Sequence, residues 1–209
     1  MKIISLPTFG HWSNSYLLIS GSEAALIDPS SAPSHVTDSI AENGCELKYI
    51  LLTHGHYDHT KYVAKVKELT GAKVCVHSLD AEMLGDSDKN CYKLFNDGEQ
   101  IAPAADVLLE DGDELVLGGE TVAVMHTPGH TKGSVCYLVG SVIFTGDTLF
   151  RGSVGRTDFY GGDERVLMDS LRRIFALDGE YTLYPGHESA TTLNIERKFN
   201  PYLRYIQEN

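Results

Sequence analysis

The sequence lacks a long apolar segment, a cluster of basic residues and any internal repeat. Within 209 residues no apolar run approaches the ~20 residues of a membrane-spanning helix, and residues 1–7 are too short and broken for a signal peptide. Only 17 Lys and Arg residues stand against 29 Asp and Glu, so the formal net charge is −12. Proteins that bind nucleic acid or an anionic membrane usually carry a basic face. We therefore expect a cytoplasmic protein that binds neither.

Paired cysteines are also missing. The four cysteines, Cys45, Cys75, Cys91 and Cys136, are widely and irregularly spaced, and none belongs to a Cys-x-x-Cys pair. Zinc sites built from cysteine normally use such close pairs. The spacing therefore predicts four buried free thiols rather than a metal site or a disulfide framework.

What is present indicates one domain, residues 1–209, with 42% apolar residues to build a core. Apolar runs flank Gly21-Ser22, Gly118-Gly119 and Gly140-Ser141, and each pair is typical of a strand hairpin. Four helices are predicted, at 34–43, from 58 or 59 to about 69, at 164–175 and at 194–206. The third should place Val166 and Leu167 on its buried face, and the fourth should be interrupted near Pro201. Strands dominate the second half, where they are expected to be antiparallel, with the last one at 181–184. Strands and helices mixed in both halves favour sheets packed face to face with helices outside.

Three imidazoles and a carboxylate lie within the short segment Thr53-His54-Gly55-His56-Tyr57-Asp58-His59. His54 and His56 are two residues apart on the extended exit from a buried strand, so both rings can point the same way. Asp58 and His59 follow at the opening of the next helix and can point to a neighbouring position. One segment can therefore offer two ligands to each of two metal ions.

Three further candidates follow later strands, each directly after a glycine: His130, Asp147 and His187. Glycine lets the backbone turn sharply and approach a site closely. A single histidine after a strand is more often a surface or capping residue, and we expect His11, His35 and His77, which have no partner pattern, to be surface or turn residues. Seven residues in this order instead predict a metal centre along one edge of the sandwich. Imidazoles and carboxylates suit Zn²⁺, Fe or Mn.

The pattern His-x-His-x-Asp-His, then Gly-His, Gly-Asp and Gly-His, resembles the metallo-β-lactamase superfamily over nearly the whole chain. The segment 148–159 (Thr-Leu-Phe-Arg-Gly-Ser-Val-Gly-Arg-Thr-Asp-Phe) is similar to the short glyoxalase II-like branch, related to hydroxyacylglutathione hydrolase. The resemblance implies an α/β (α+β) fold, a four-layer αββα sandwich. It also implies two divalent metal ions, zinc first, with iron or manganese as alternatives. One ion would be bound by His54, His56 and His130, the other by Asp58, His59 and His187, with Asp147 bridging them.

The function that the resemblance implies is a binuclear metal-dependent hydrolase for a small molecule. The leading substrate is an acyl thioester such as S-lactoylglutathione, attacked by a hydroxide that bridges the metals, with Asp58 as the catalytic residue that orients it and accepts its proton. Arg151, Arg156 and Tyr160 are predicted to contact substrate, although Arg156 and Asp158 can instead form a buried structural pair. Glyoxalase II carries a further helical domain that helps bind glutathione, and we expect this chain to lack one.

Several alternatives stay open. Position 147 is Asp where many antibiotic-destroying members have Cys, which disfavours β-lactams. A lactonase on the same metals is the first rival. A mononuclear-iron persulfide dioxygenase using His54, His130 and Asp147 is the second, and a non-enzymatic metal-binding scaffold is the third. Asp28 is either a hydrogen-bond acceptor for a ligand imidazole or a turn residue before Pro29. The native metal, acyl group, thiol carrier and oligomeric state are not determined by the sequence.

Overall fold

The computed structural model describes residues 1–10 and 12–208, so the prediction for His11 lies outside the described residues. The first half of the chain forms a six-stranded sheet with the strands in sequence order. Its first three strands are antiparallel and the rest are parallel. The strands are β1 (Lys2–Leu6), β2 (Ser15–Ser20), β3 (Glu23–Ile27), β4 (Glu46–Leu51), β5 (Lys73–His77) and β6 (Val107–Leu109).

The second half forms another six-stranded sheet, in the order β14-β13-β10-β9-β8-β7. All three predicted hairpins are present, and their strands are antiparallel as expected. The prediction of a wholly antiparallel second half is wrong, because β13 runs parallel to β10 after the chain crosses over through a helix. The strands are β7 (Glu114–Leu117), β8 (Glu120–His126), β9 (Val135–Val139), β10 (Val142–Gly146), β13 (Thr182–Pro185) and β14 (Thr191–Thr192), with a separate small pair, β11 (Leu149–Phe150) and β12 (Ser153–Val154).

Helices connect and cover these sheets. They are α1 (Pro33–Asn43), α2 (Val63–Thr70), a 3₁₀ helix (Ser78–Gly85), α3 (Tyr92–Phe95), α4 (Glu164–Phe175), α5 (Leu193–Phe199) and α6 (Pro201–Glu208). α1 ends as expected at Gly44, whose φ of 59° is left-handed. Among the described residues, no helix has the length and apolar character needed to cross a membrane.

Three apolar layers hold the four structural layers together. Leu17 on β2 packs outward with Val36 of α1 and Val66 of α2, whereas its neighbour Leu18 packs inward against the second sheet. This alternation is what a strand buried on both faces requires. The third apolar layer joins the far face of the second sheet to α4 and α6, through residues such as Ile143 and Leu171. The αββα sandwich is confirmed.

The predicted start of the helix after the histidine motif is wrong. Residues 58–62 form turns, and α2 begins only at Val63. The carbonyl oxygen of Asp58 accepts hydrogen bonds from Ser13 and Ser30, so it is engaged outside any helix. This irregular stretch leaves Asp58 and His59 free to point at the site described below.

The burial of individual side chains also tests three smaller predictions. The four cysteines are free and buried, as predicted. Val166, predicted to lie on the buried face of α4, is 37% exposed, and Met168 is buried beside Leu167 instead. His77 is not a surface residue: it is buried, its ring stacks on that of His126, and its Nδ1 accepts a hydrogen bond from the backbone of the 3₁₀ helix.

Candidate metal centre

Four loops bring the seven predicted ligands to one end of the sandwich. The motif loop follows β4, the His130 loop follows β8, Asp147 follows β10 directly, and His187 follows β13. His54, His56, His59 and His130 are almost fully buried, Asp147 is 9% exposed, and the side chains of Asp58 and His187 are partly open to solvent. The predicted residues are therefore assembled, although they come from loops separated by as many as 133 positions (187 − 54).

The first cluster consists of three imidazoles, which we call the three-histidine half. His54 Nε2 lies 3.0 Å from His56 Nδ1, which lies 2.9 Å from His130 Nε2. Burial and neighbouring imidazoles, His59 first, keep the pKa of His54 well below 6.5, and burial with His130 nearby lowers that of His56 to about 3. The rings of His54 and His56 are therefore neutral, which is the form that binds a metal ion. The geometry allows these three nitrogens to hold one ion.

The second cluster, the Asp58 half, consists of Asp58, His59 and His187. His187 Nε2 lies 3.1 Å from Asp58 Oδ2, and His59 Nε2 lies 3.8 Å from the same oxygen. Burial acts to lower the pKa of His59, but the carboxylates of Asp147, Asp28 and Asp58 outweigh it and raise that pKa well above 6.5. Such a concentration of negative charge around a buried ring favours a cation at this position.

Asp147 lies between the two halves. Its Oδ1 is 3.3 Å from His59 Nε2, and its Oδ2 is 3.6 Å from both His130 Nε2 and His187 Nε2. Among the described residues, His59 Nε2 and Asp147 Oδ1 are buried without a hydrogen-bond partner. Native proteins rarely bury polar atoms without partners. Imidazole nitrogens and carboxylate oxygens are the atoms that bind Zn²⁺, Fe or Mn in proteins. Buried atoms of these two kinds without hydrogen-bond partners therefore fit a pair of divalent ions.

Outer hydrogen bonds orient several of the imidazoles. His59 Nδ1 donates to Asp28 Oδ2 at 2.8 Å, and His130 Nδ1 donates to the Arg156 carbonyl at 2.7 Å. Asp28 also accepts from the Thr53 hydroxyl, which lies 3.1 Å from His54 Nδ1. Each bond places the ring proton away from the centre and leaves the opposite nitrogen for an ion. Asp28 is thus an acceptor for an imidazole, and with φ of 48° it also makes the turn before Pro29.

A cavity of about 830 Å³ opens in front of the two halves. Arg151 and Arg156 line it, whereas Tyr160 is not among the lining residues and its hydroxyl donates to Glu82 at 2.7 Å. The Arg156–Asp158 pair is present but exposed rather than buried, and the Arg156 guanidinium lies 3.8 Å from the Phe159 ring centroid.

Sequence reasoning missed the apolar wall of this cavity. Phe95, Phe150 and Phe159 line it, and Phe95 is 58% exposed. Isolated phenylalanines carry no motif, so only the adjacency of Phe150 to Arg151 and of Phe159 to Asp158 could have suggested them.

The glycine before His187 gives a direct test of this geometry. A Cβ at Gly186 would lie 2.2 Å from Asp147 Oδ1 and 2.7 Å from His59 Cε1. Gly186→Ala should therefore displace both side chains, halve the metal content or worse, and lower turnover by about a hundredfold, since displacements near 1 Å have effects of that size. Elemental analysis and initial rates measure the two effects.

The matched control for this variant is Gly85→Ala, since a Cβ there meets no atom within 4 Å. It should behave like the wild type. Full metal content and normal rates in Gly186→Ala would contradict the close contact of these loops.

The chain is similar in sequence and in structure to known proteins. Residues 11–187 match the metallo-beta-lactamase superfamily. Hydroxyacylglutathione hydrolase GloC of Haemophilus influenzae is 33% identical, over 97% of this chain and 98% of that protein. Among solved structures, the BLEG-1 B3 metallo-beta-lactamase has a TM-score of 0.90 and 32% identity, over 97% of this chain and 99% of that one. TTHA1623, crystallised in a di-iron-bound form, has a TM-score of 0.80 and 35% identity, over 96% and 100%. The family match includes all seven assembled residues.

Proposed function

The chain belongs to the metallo-β-lactamase superfamily, and we propose that within it this protein is a binuclear metal-dependent hydrolase of acyl thioesters. The observation that carries the proposal is the position of Asp147 between two separate ligand clusters. In the proposed centre, His54, His56 and His130 would hold one ion, Asp58, His59 and His187 would hold the other, and Asp147 would serve both. We also propose that residues 1–209 form one domain, because both halves contribute to the apolar layer between the sheets.

Two divalent ions held there would polarise a substrate carbonyl and lower the pKa of a nearby water molecule. Asp58 is proposed as the catalytic residue because its side chain is partly exposed to the cavity while Oδ2 is held by His187. From that position the carboxylate can orient the attacking water and accept its proton. Arg151 and Arg156 are proposed to bind anionic groups of the substrate at the cavity wall.

A thioester is favoured because, outside the proposed metal ligands, the neutral proton donors among the described residues of the cavity wall are weak acids. Tyr57 and Cys91 line it, but burial raises the pKa of each, so neither gives up a proton readily. A thiolate leaving group, with a pKa near 8.5, departs without such help. The name of the Haemophilus relative supports the same substrate class. The test is turnover of a thioester against its oxygen ester, a lactone and a β-lactam, on protein with a known metal content.

Metal content tests the centre independently of substrate. We expect two ions per chain after reconstitution. Zinc is the leading candidate for the native metal; iron, which the di-iron form of TTHA1623 supports, and manganese are the alternatives. Elemental analysis and native mass spectrometry give the count. A limit of one ion under saturating zinc, iron and manganese would contradict the binuclear centre. It would favour the mononuclear-iron dioxygenase, for which oxygen consumption with a persulfide is the check.

A further inference from the structure

A buried carboxylate outside the seven ligands lies behind the centre. Asp80, in the 3₁₀ helix, has no solvent exposure, and within residues 1–10 and 12–208 it forms no ion pair with Lys, Arg or His. A lone buried carboxylate is costly unless hydrogen bonds compensate for the lost water. The buried Asp80 carboxylate therefore needs an explanation, and its hydrogen-bond partners indicate its role.

Every hydrogen bond that the structure gives Asp80 comes from the two loops of the three-histidine half. Oδ2 accepts from the backbone N–H of Gly55 at 3.0 Å and from the Thr131 hydroxyl at 2.7 Å. Oδ1 accepts from the backbone N–H of Gly133 at 2.7 Å. Gly55 separates His54 from His56, and Thr131 follows His130. Each histidine of the three-histidine half is therefore the sequence neighbour of a residue that donates a hydrogen bond to Asp80.

The close approach of these loops depends on the absence of side chains. A Cβ at Gly133 would lie 2.8 Å from Asp80 Cγ, and one at Gly55 would lie 2.7 Å from Met83 Cβ in the same 3₁₀ helix. The 3₁₀ helix therefore packs directly on the backbone that carries the imidazoles, and Asp80 is the point of attachment.

A second buried carboxylate beside the centre, Asp28, makes a different set of contacts. It binds His59 of the Asp58 half directly and reaches His54 of the three-histidine half through Thr53. Asp28 therefore touches both halves, whereas Asp80 touches one. The three-histidine half also consists of imidazoles alone and contains no carboxylate, so a nearby buried negative charge favours a cation there more than in a half that already contains Asp58.

We propose that Asp80 is a positioning residue that sets the metal affinity of the three-histidine half alone. It joins the His54–His56 loop to the His130 loop through three hydrogen bonds and provides a negative charge beside three imidazole ligands, none of which supplies one. The inference rests on the proposed metal centre but not on thioester hydrolysis, so its test measures metal binding rather than turnover.

The test compares Asp80→Asn with Asp28→Asn in the full-length protein loaded with cobalt(II). An asparagine has one acceptor oxygen, so in Asp80→Asn its amide group must face the N–H of Gly55 or that of Gly133, and at least one of the three hydrogen bonds is lost together with the negative charge. Chelator titration should show one ion bound about tenfold to a hundredfold more weakly, as for other outer-shell partners of metal ligands, and the second within about twofold of wild type. Asp28→Asn should weaken both ions.

The cobalt spectrum identifies the half that is lost, since three imidazoles and an Asp-containing set give different visible bands. Equal weakening of both ions in Asp80→Asn, as a general loss of stability would produce, overturns the proposal, and so does an unchanged titration. If Asp80→Asn does not fold, Thr131→Val removes one of the three bonds at nearly constant volume. It should then weaken the same ion by a smaller factor, and a titration of Thr131→Val that matches wild type would overturn the proposal as well.

Discussion

Replacing Asp147 with alanine should lower kcat/KM by about a thousandfold and reduce the metal content from two ions per chain to one or none. The carboxylate lies within 3.6 Å of His59, His130 and His187, which belong to both halves of the centre. Alanine removes the only proposed ligand that the two ions share, and with it one negative charge between two dications. A thousandfold loss corresponds to about 4 kcal/mol of transition-state stabilisation.

Two further variants make the Asp147 result specific. Asp147→Asn keeps the shape and one oxygen but loses the charge, so it should retain more metal than Asp147→Ala while still losing most activity. Asp38→Ala removes an exposed carboxylate on α1 and should leave metal content and rate unchanged. Metal content by elemental analysis and kcat/KM are measured on the same preparations of each variant. If Asp147→Ala keeps both ions and near-normal turnover, Asp147 does not bridge them.

The proposed ligands were predictable because their signals are local. A glycine followed by His or Asp after an apolar run indicates a loop at the end of a strand, and His130, Asp147 and His187 all lie in such loops. The three hairpins were predictable for the same reason, since a two-residue turn determines the pairing of its strands.

Features that depend on distant parts of the chain were not predictable. The parallel pairing of β10 with β13 follows from a crossover through α4, which periodicity does not encode. The late start of α2 depends on Ser13 and Ser30 binding the Asp58 carbonyl. Asp80 looks in sequence like any polar residue after a strand. Its partners lie 25 to 53 positions away, so only the folded chain shows that it holds two ligand loops.

Metal-replete protein should hydrolyse an acyl thioester at least about a hundredfold faster, by kcat/KM, than the matched oxygen ester. General acid catalysis typically contributes 10²–10⁴-fold, and a site without a strong general acid outside its proposed metal ligands forgoes much of that factor for alkoxide leaving groups. Thiolates, with a pKa near 8.5, do not need it. Tyr57 and Cys91, whose pKa values are raised by burial, cannot readily fill that role. The substrate panel is S-lactoylglutathione, a simple acyl thioester, its oxygen ester, a lactone and a β-lactam, each tested on protein whose ions have been counted.

The β-lactam belongs in that panel because the BLEG-1 structure is so similar, with a TM-score of 0.90. An amide nitrogen is a poor leaving group without protonation, and ring strain in a β-lactam or lactone offsets only part of that difference. We therefore expect both cyclic substrates to react more slowly than either thioester. A lactone or β-lactam preferred by tenfold or more would replace thioester hydrolysis with that activity while leaving the binuclear centre intact. Sulfite formation from glutathione persulfide with oxygen consumption, and no hydrolysis of any substrate, would instead show that the chain is an oxygenase rather than a hydrolase.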